Sequence, residues 1–315
     1  MRSTMYMVAV SVCLLLAGAA HAGDYYGSQD GDWSLAATWN NAGVPGTNDG
    51  VWISGENVVH DSAASGLAGY GAVDNGSLTL QKSLNVEQWW NVNGGGVVDL
   101  NGNDLTVDGG LNFNGGSIVN SGRILVPTEH INVGGGTSIA LDGDDYINRA
   151  YVYDGCTMAL GSVGGNVEAG IVADYHGLVT VDPGYVTSSG FYFDVRNGGM
   201  VRITQGAGVT TGVTYAPYDD PYWRALRWAV QTGGLVELNF DSGSASGDWI
   251  FKMLDTTDTL TDMVTDGRLV ITGAPYEIVN DGTWTIVRAT GEIPEPATMS
   301  LLAIGSLAAL IRRKR

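Results

Sequence analysis

Residues 97–116 read VVDLNGNDLTVDGGLNFNGG, and this stretch decides the fold class. Short apolar patches alternate with polar residues at a period of two, and turn pairs such as Asn101-Gly102 and Asn114-Gly115 separate them. This period predicts β-strands, because successive side chains of a strand point to opposite faces. Asn and Gly accept the positive φ angles of tight turns. The stretch therefore predicts very short strands joined by dense turns.

Similar patches recur from Ala72 to Gly206, and Gly supplies 47 of the 315 residues, which provides many turns. Short strands with dense turns suit a parallel β-helix, in which each coil of about 20 residues stacks on the next. Val86, Leu105 and Ile124 are evenly spaced at close to one coil length, which places them on one face of successive coils. We therefore predict an all-β fold, a single-stranded, right-handed parallel β-helix over residues 23–209. A β-sandwich, which prefers longer strands, is the alternative.

The start of this body contains a tryptophan motif. Trp33 and Trp39 are followed by Val44-Pro45-Gly46 and then by Asp49-Gly50-Val51-Trp52-Ile53. The motif is similar to the opening of many secreted bacterial β-helical surface proteins, and this resemblance implies fold rather than activity. A solenoid needs a cap, because its first coil would otherwise expose core and unpaired strand edges. We expect the two indoles to be apolar plugs over that coil.

Longer strands are expected after the β-helix, where residues 210–291 are predicted to form a C-terminal β cap or a small β-sandwich. Asp258–Thr265 is expected to be helical, because Leu260, Met263 and Val264 fall on one side and Asp258 can cap the N-terminus. All other helices are expected in the terminal signals, namely the signal peptide and the C-terminal sorting segment. The predicted strands are Ala225–Gln231, Leu235–Phe240, Trp249–Leu254, Arg268–Thr272, Tyr276–Val279 and Thr283–Ala289.

The N-terminus carries the features of a secretory signal. A positive charge on Arg2 precedes an apolar run from Val8 to Ala20, and the run ends in Ala20-His21-Ala22. Small residues at Ala20 and Ala22 occupy the positions that signal peptidase reads. We predict a signal peptide over residues 1–22, cleaved after Ala22 by signal peptidase. A membrane anchor is the alternative, but the apolar run is shorter than a span of roughly 20 residues.

The C-terminus contains three features in order. Pro294, Glu295 and Pro296 come first, an apolar stretch from Ala297 to Ile311 follows, and the basic run Arg312–Arg315 comes last. A helix over the apolar stretch would be about 22 Å long. It is short for a hydrocarbon core about 30 Å thick, unless the basic ends reach the interface. The prolines keep the preceding chain extended, as a protease needs, and a permanent anchor is the alternative.

This order of features resembles the PEP-CTERM sorting signal, here over residues 292–315. The resemblance implies that a membrane enzyme called exosortase recognises the tail, removes it, and releases or attaches the protein at the cell exterior. The precursor would be held in the inner membrane of a Gram-negative type of bacterium by transient insertion of the short C-terminal helix. Together with the signal peptide, the resemblance predicts a cell-surface or extracellular protein and leaves the role of the body open.

The formal net charge of −18 at pH 7 limits the classes of partner that the protein can bind. An acidic body should repel nucleic acids and anionic membrane surfaces, so neither is expected to bind it. Cys156 is the single cysteine after the signal peptide, so no internal disulfide is expected. The sequence contains no Cys/His cluster for zinc, and we interpret His60, His130 and His176 as loop or surface residues. No cofactor is predicted.

Acidic residues could form two kinds of site. Asp142, Asp144 and Asp145 could supply oxygen ligands to Ca²⁺, but they lack the twelve-residue loop pattern with a terminal Glu. A turn between coils is therefore the favoured interpretation. β-Helices often carry polysaccharide lyases and hydrolases, which need clustered carboxylates and, in lyases, a basic residue. The sequence assigns no Asp/Arg pair to one face, so neither catalytic residues nor enzymatic activity are predicted.

Aromatic side chains are the stronger binding candidates. Trp89 and Trp90 are neighbours, so in a strand one ring points inward and the other outward, where it can stack on a sugar. Tyr222 and Trp223 could do the same from a loop. Covering the end of the core is the favoured interpretation of these rings, and stacking on a glycan is the alternative.

The sequence thus predicts an exported, non-enzymatic cell-surface or extracellular-matrix protein that an exosortase-type system sorts. An extracellular glycan-binding protein, with extracellular polysaccharide as its partner, is the first alternative. A β-helical polysaccharide lyase or hydrolase is the second.

Overall fold

The computed structural model describes residues 23–41, 43–46, 48–61, 66–67, 69–141, 145–161, 166–181, 192–204, 209–211, 229–231, 233–240, 245–254 and 257–290. The protein is mostly β, and its parallel sheets form a β-solenoid of about 6 turns. The predicted all-β solenoid is therefore confirmed. The chain divides into two compact units, residues 1–125 and residues 126–315.

Where the structure describes it, the N-terminal unit consists of very short strands and a short 3₁₀-helix, Ala36–Thr38. Its strands are β1 (Asp24–Tyr26), β2 (Gly31–Asp32), β3 (Gly50–Ser54), β4 (Asn57–His60), β5 (Gly66–Leu67), β6 (Gly71–Asp74), β7 (Ser77–Leu80), β8 (Leu84–Val86), β9 (Trp89–Asn93), β10 (Val97–Asp99), β11 (Asp104–Val107), β12 (Gly110–Asn114) and β13 (Ser117–Val119).

A full coil of this unit contributes one strand to each of three parallel ladders. The first ladder has the order β1-β3-β6-β9-β12, the second β2-β4-β7-β10-β13, and the third contains β5-β8-β11. In the second ladder, Val58 pairs with Leu78, which pairs with Val98, which pairs with Ile118. The separation in sequence is the same at every step, so the constant coil length keeps equivalent positions of successive coils on the same face.

Val86, Leu105 and Ile124 lie on one face of paired strands, as predicted, since all three are buried. Leu105 pairs with Ile124 on one side and with Leu84 on the other. Val86 pairs with Val107, so the even spacing identifies the shared face but not every pair in register. The coil from β8 to β11 is two residues longer than the coil from β11 to β14. Because side chains alternate between the two faces of a strand, a shift of two residues leaves the same face inward. All five side chains are buried.

The tryptophan motif closes the start of the N-terminal unit. Trp33 and Trp39 are buried, with ring centroids 5.0 Å apart at an interplanar angle of 74°. The indole nitrogen of Trp39 donates to the carbonyl of Trp33 at 2.9 Å, and that of Trp33 donates to the carbonyl of Pro45 at 3.3 Å. The expectation that both indoles are buried is confirmed.

His60 lies beneath this motif, so its interpretation as a loop or surface residue is wrong. Its ring is fully buried and edge-on to Trp33, at a centroid distance of 5.1 Å. Like Val58, it occupies an inward position of β4. Its Nδ1 lies 3.1 Å from the carbonyl oxygen of Lys82, which provides a polar partner inside the core.

The described residues of the C-terminal unit form strands, some of them longer, and the α-helix α1 (Thr257–Thr265). Strand β14 contains the boundary between the units. The strands are β14 (Arg123–Gly134), β15 (Ser138–Leu141), β16 (Tyr146–Val152), β17 (Thr157–Leu160), β18 (Asn166–Ala173), β19 (Leu178–Val181), β20 (Tyr192–Val195), β21 (Met200–Thr204), β22 (Val209–Thr211), β23 (Ala229–Val230), β24 (Leu235–Asn239), β25 (Trp249–Leu254), β26 (Leu269–Thr272), β27 (Tyr276–Asn280) and β28 (Trp284–Ala289).

Two parallel ladders run through this unit, with the orders β14-β16-β18-β20-β23 and β15-β17-β19-β21-β24-β26. The spacing between paired residues grows along the second ladder. Val179 pairs with Val201, and Val201 pairs with Val236, which lies much farther along the chain than Val201 lies from Val179. The next step, from Val236 to Leu269, is also long. Insertions between the strands therefore lengthen the later coils without interrupting the parallel pairing.

The last strands depart from this parallel pattern. β28 pairs antiparallel with β25 and with β27, while β22 joins the same sheet parallel to β25. Helix α1 starts one residue before the predicted segment, and its inward face carries Leu260 and Met263, as predicted. Within the described residues, none of the helices has both the length and the apolar character needed to cross a membrane.

Candidate functional site

Trp89 and Trp90 have opposite environments on β9. As predicted, one ring of the pair points inward: Trp90 is fully buried, and it is excluded as a candidate glycan contact because no face of its indole reaches solvent. A Cβ on Gly71, its partner in the ladder, would collide with the Trp90 ring, so this large side chain needs a glycine beside it. Trp89 points outward and is 36% exposed, which makes it the ring of the pair that a ligand can reach.

Three further aromatic rings lie on the outer face of the same ladder, and with Trp89 we call them the aromatic patch: Tyr26, Trp52, Tyr70 and Trp89. Tyr26 and Trp52 are paired in register and stack at 5.1 Å between centroids and 15° between planes. Trp52 meets Tyr70 edge-on at 5.0 Å and 83°. Gly71 pairs with Trp90, so the preceding residues Tyr70 and Trp89 occupy adjacent positions on neighbouring coils.

Sequence reasoning missed three of these four rings. The available signal was the coil length, because Tyr70 and Trp89 are separated by the same distance in sequence as Gly71 and Trp90, which pair in neighbouring coils. The pairing of Tyr26 with Trp52 spans a longer stretch of chain and could not be read from that repeat. The longer spacing results from the cap segment, which contains Trp33 and Trp39.

Asparagine side chains continue the outer face beside the aromatic patch. Asn91 and Asn93 on β9 and Asn112 and Asn114 on β12 occupy the alternate positions that do not face the core. The amide of Asn112 donates to the side-chain oxygen of Asn91 at 2.7 Å, so the two side chains form a rung between neighbouring coils. The face thus combines rings with groups that both donate and accept hydrogen bonds.

The candidate calcium ligands, for which a turn was the favoured interpretation, are only partly described. Asp145 is buried, while Asp142 and Asp144 lie outside the described residues. Among the residues that the structure describes, no group of three or more His, Cys, Asp or Glu side chains could hold a metal ion.

Several other candidate residues lie outside the described part of the chain. They are the aromatic residues Tyr222 and Trp223, the signal cleavage residues Ala20 and Ala22, and the sorting residues Pro294, Glu295 and Pro296.

The C-terminal unit contains an arginine between two carboxylates, which sequence reasoning did not find. Arg196 Nε lies 2.7 Å from Asp174 Oδ2, and its Nη1 lies 3.6 Å from Asp194 Oδ2. The two carboxylates also accept hydrogen bonds from the amides of Asn197 and Gln231, respectively. All three charged side chains are largely buried, and their bonds link neighbouring coils. These contacts favour a structural role.

An exposed counterpart lies in the N-terminal unit. Arg123 Nε donates to Asp104 Oδ1 at 2.9 Å, and the two residues are paired in register on neighbouring strands. The hydrogen bond from Arg123 holds the pKa of Asp104 below its usual value. Because the separation of the two residues equals the length of that coil, the coil repeat was the signal that could have revealed this pair.

His130 lies between an aromatic ring and a carboxylate. Its ring lies edge-on to Tyr151 at 5.0 Å, and its Nδ1 lies 3.4 Å from a carboxylate oxygen of Glu129. Burial lowers the pKa of His130, and the charge of Arg149 adds to this effect, while the contact with Glu129 opposes it. The half-buried ring therefore favours the neutral form.

Comparison with known proteins identifies one segment. Residues 292–315 match the PEP-CTERM protein-sorting motif, which is the resemblance drawn from Pro294, Glu295 and Pro296. No curated protein and no solved structure matches the chain. The motif indicates a protein that is exported, anchored in the membrane before exosortase cleavage, and sorted to the cell surface.

Proposed function

We propose that the chain is a non-enzymatic cell-surface or extracellular-matrix protein, secreted with the help of signal peptidase from a Gram-negative type of cell. The sorting motif at residues 292–315 carries this proposal. A solenoid body suits the role, because stacked coils present a long, regular surface. The net charge of −18 keeps such a surface soluble outside the cell.

Expression of the full chain in a host with and without an exosortase tests the destination. With the enzyme, the protein should reach the surface fraction and lack its C-terminal tail, as mass spectrometry of its last peptide would show. A triple variant, Pro294→Ala, Glu295→Ala and Pro296→Ala, should stay in the membrane fraction with the tail intact. Recovery of the wild-type protein from the cytoplasm with its tail would refute the proposal.

The non-enzymatic part needs a separate assay. Purified protein is incubated with a panel of neutral and acidic polysaccharides, and new reducing ends and unsaturated sugars are measured. We expect neither to form above the level of a heat-denatured sample. Release of either product in proportion to protein concentration would show a hydrolase or a lyase instead.

Glycan binding is the second candidate function, and the exposure of Trp89 beside other outer rings supports it. Aromatic faces offer large, rigid contact areas to the C–H face of a sugar at a small cost in side-chain entropy. Binding of this kind would hold an exported protein in a polysaccharide layer after its tail is removed. It is compatible with a non-enzymatic role, because retention requires no chemistry.

A further inference from the structure

The aromatic patch is unusual for an outward-facing surface. Tyr26 is 45% exposed and Tyr70 is 44% exposed, and both contact Trp52, so the exposed rings are contiguous rather than scattered. Single exposed apolar side chains are common, whereas clustered ones mark interaction sites. The patch therefore calls for a partner whose chemistry fits several adjacent rings.

Two glycines leave room for the indoles of the patch to lie close against the sheet. An added Cβ on Gly50 would lie 2.8 Å from Cζ3 of Trp52, and one on Gly110 would lie 2.6 Å from Cζ3 of Trp89. The edges of both indoles thus occupy the space that side chains at these positions would fill. A ring that already packs against the sheet has less conformational freedom to lose when a ligand stacks on it.

The neighbouring polar groups and the charge narrow the ligand class. The amides of Asn91 and Asn112 can exchange hydrogen bonds with hydroxyl groups, which complements stacking on the rings. Asp24 and Asp74 lie on strands of the same ladder, and the whole chain has a net charge of −18. Anionic polymers are therefore repelled, and a neutral sugar is favoured.

The spacing of the strands indicates a polymer rather than a single sugar. Ring and amide positions extend from β1 through β3, β6 and β9 to β12, which are neighbours in one ladder. Four steps of about 4.8 Å between strands give a length of roughly 19 Å. A face of this length can contact several consecutive sugar rings at once.

We infer that the aromatic patch and the adjoining asparagines form a binding face for a neutral polysaccharide chain. The inference rests on the glycan-binding candidate above and adds the location of the site and the class of its ligand. Two of the four rings, Tyr26 and Trp52, lie next to the N-terminal cap, so the binding face begins at the start of the solenoid.

Affinity gel electrophoresis of the full-length protein tests this face. Native gels contain dextran or hydroxyethylcellulose as neutral polymers, or alginate as an anionic one. We expect at least one neutral polymer to retard the protein and alginate to have no effect. The double variant Tyr70→Ala with Trp89→Ala should raise the Kd by about tenfold or more, which corresponds to the loss of at least about 1.4 kcal/mol.

Two further variants separate binding from folding. Tyr26→Ala removes an exposed ring and should weaken binding without lowering the melting temperature, whereas Trp89→Phe should retain most of the affinity. Tyr276→Ala, which removes an exposed tyrosine of the C-terminal unit, is the matched control and should bind as the wild type does. The inference is overturned if neither neutral polymer retards the protein, if only alginate does, or if the patch variants and the control bind equally.

Surface delivery is measured on the same variants. The patch variants keep the sorting motif, so they should reach the surface fraction as the wild type does. Loss of polymer binding with normal delivery supports the binding face, and failed delivery of the wild type contradicts the proposed destination without affecting the binding result.

Discussion

The two compact units build parallel ladders in different ways. In the second ladder of the N-terminal unit, the spacing of paired residues from Val58 to Ile118 is identical at every step. In the C-terminal unit, the step from Val201 to Val236 is more than half as long again as the step from Val179 to Val201. The comparison shows that the ladder requires register within the strands only. The length of chain between strands is free to grow, since extra loop length costs little.

The interiors of the units differ in their largest buried side chains. The N-terminal unit buries tryptophans such as Trp90, whereas the largest buried side chains in the described part of the C-terminal unit are Phe240 and Phe251. The charged pairs differ between the units too. Arg196 is largely buried in the C-terminal unit, and Arg123 is about half exposed in the N-terminal unit. Each unit therefore has a different vulnerable side chain.

Trp90→Ala should have the largest effect on the N-terminal unit. The substitution removes a fully buried indole and leaves a cavity, which typically costs about 3–5 kcal/mol of the free energy of unfolding. Urea unfolding followed by circular dichroism measures this loss. Trp89→Ala on the same strand is the control and should cost less, because its ring is partly exposed. Equal losses for the two variants would contradict the inward and outward assignment.

Arg196→Ala should be the corresponding weak point of the C-terminal unit. Without the guanidinium, Asp174 and Asp194 remain as neighbouring carboxylates with little access to water. Breaking a buried ion pair in this way typically costs about 3–5 kcal/mol. Arg123→Ala, which breaks an exposed pair in the other unit, should cost about 0.2–1 kcal/mol. Similar losses in urea unfolding would show that burial does not distinguish the two arginines.

Gly71→Ala tests how closely the N-terminal coils are packed. The added methyl group would collide with the Trp90 ring, and overpacking of this kind typically costs about 1–3 kcal/mol. In the double variant with Trp90→Leu, the smaller side chain leaves room for the methyl group. The double variant should therefore lose less stability than the sum of the two single changes. Additive losses in thermal melting would show that Gly71 and Trp90 do not constrain each other.

The solenoid could be predicted from the sequence because its local signals agree. The period of two in residues 97–116, the Asn-Gly turns and the step from Leu105 to Ile124 all describe the same coil. The inward or outward direction of Trp89 and Trp90 could not be assigned, because both are aromatic and a one-residue shift exchanges their faces. Burial of His60 was missed for a similar reason, since its polarity conflicts with its inward position.

The binding face could be predicted only in part. Trp89 was found as one of two adjacent rings, but Tyr26 and Trp52 come together across the cap segment, whose length departs from the coil repeat. The cluster of Arg196, Asp174 and Asp194 was missed because its residues come from coils of unequal length. Register in such coils depends on loop insertions, and the sequence alone does not say which residues are inserted.

Removing the exposed pair of Asp104 and Arg123 should have the smallest effect on stability. The dependence of this effect on pH shows whether it arises from the charge of the pair. Arg123 lowers the pKa of Asp104 in the folded state. In the unfolded chain the pKa of this carboxyl group is near 3.9, so the unfolded state binds the proton more readily. The stabilisation is therefore complete above about pH 4 to 5 and is lost as the pH falls through the lower folded value. Asp104→Asn should cost at most about 1 kcal/mol at pH 7, because water screens the pair. Urea midpoints of the two proteins should converge as the pH is lowered towards 3, and a difference that stays constant with pH would assign the effect to packing rather than to charge.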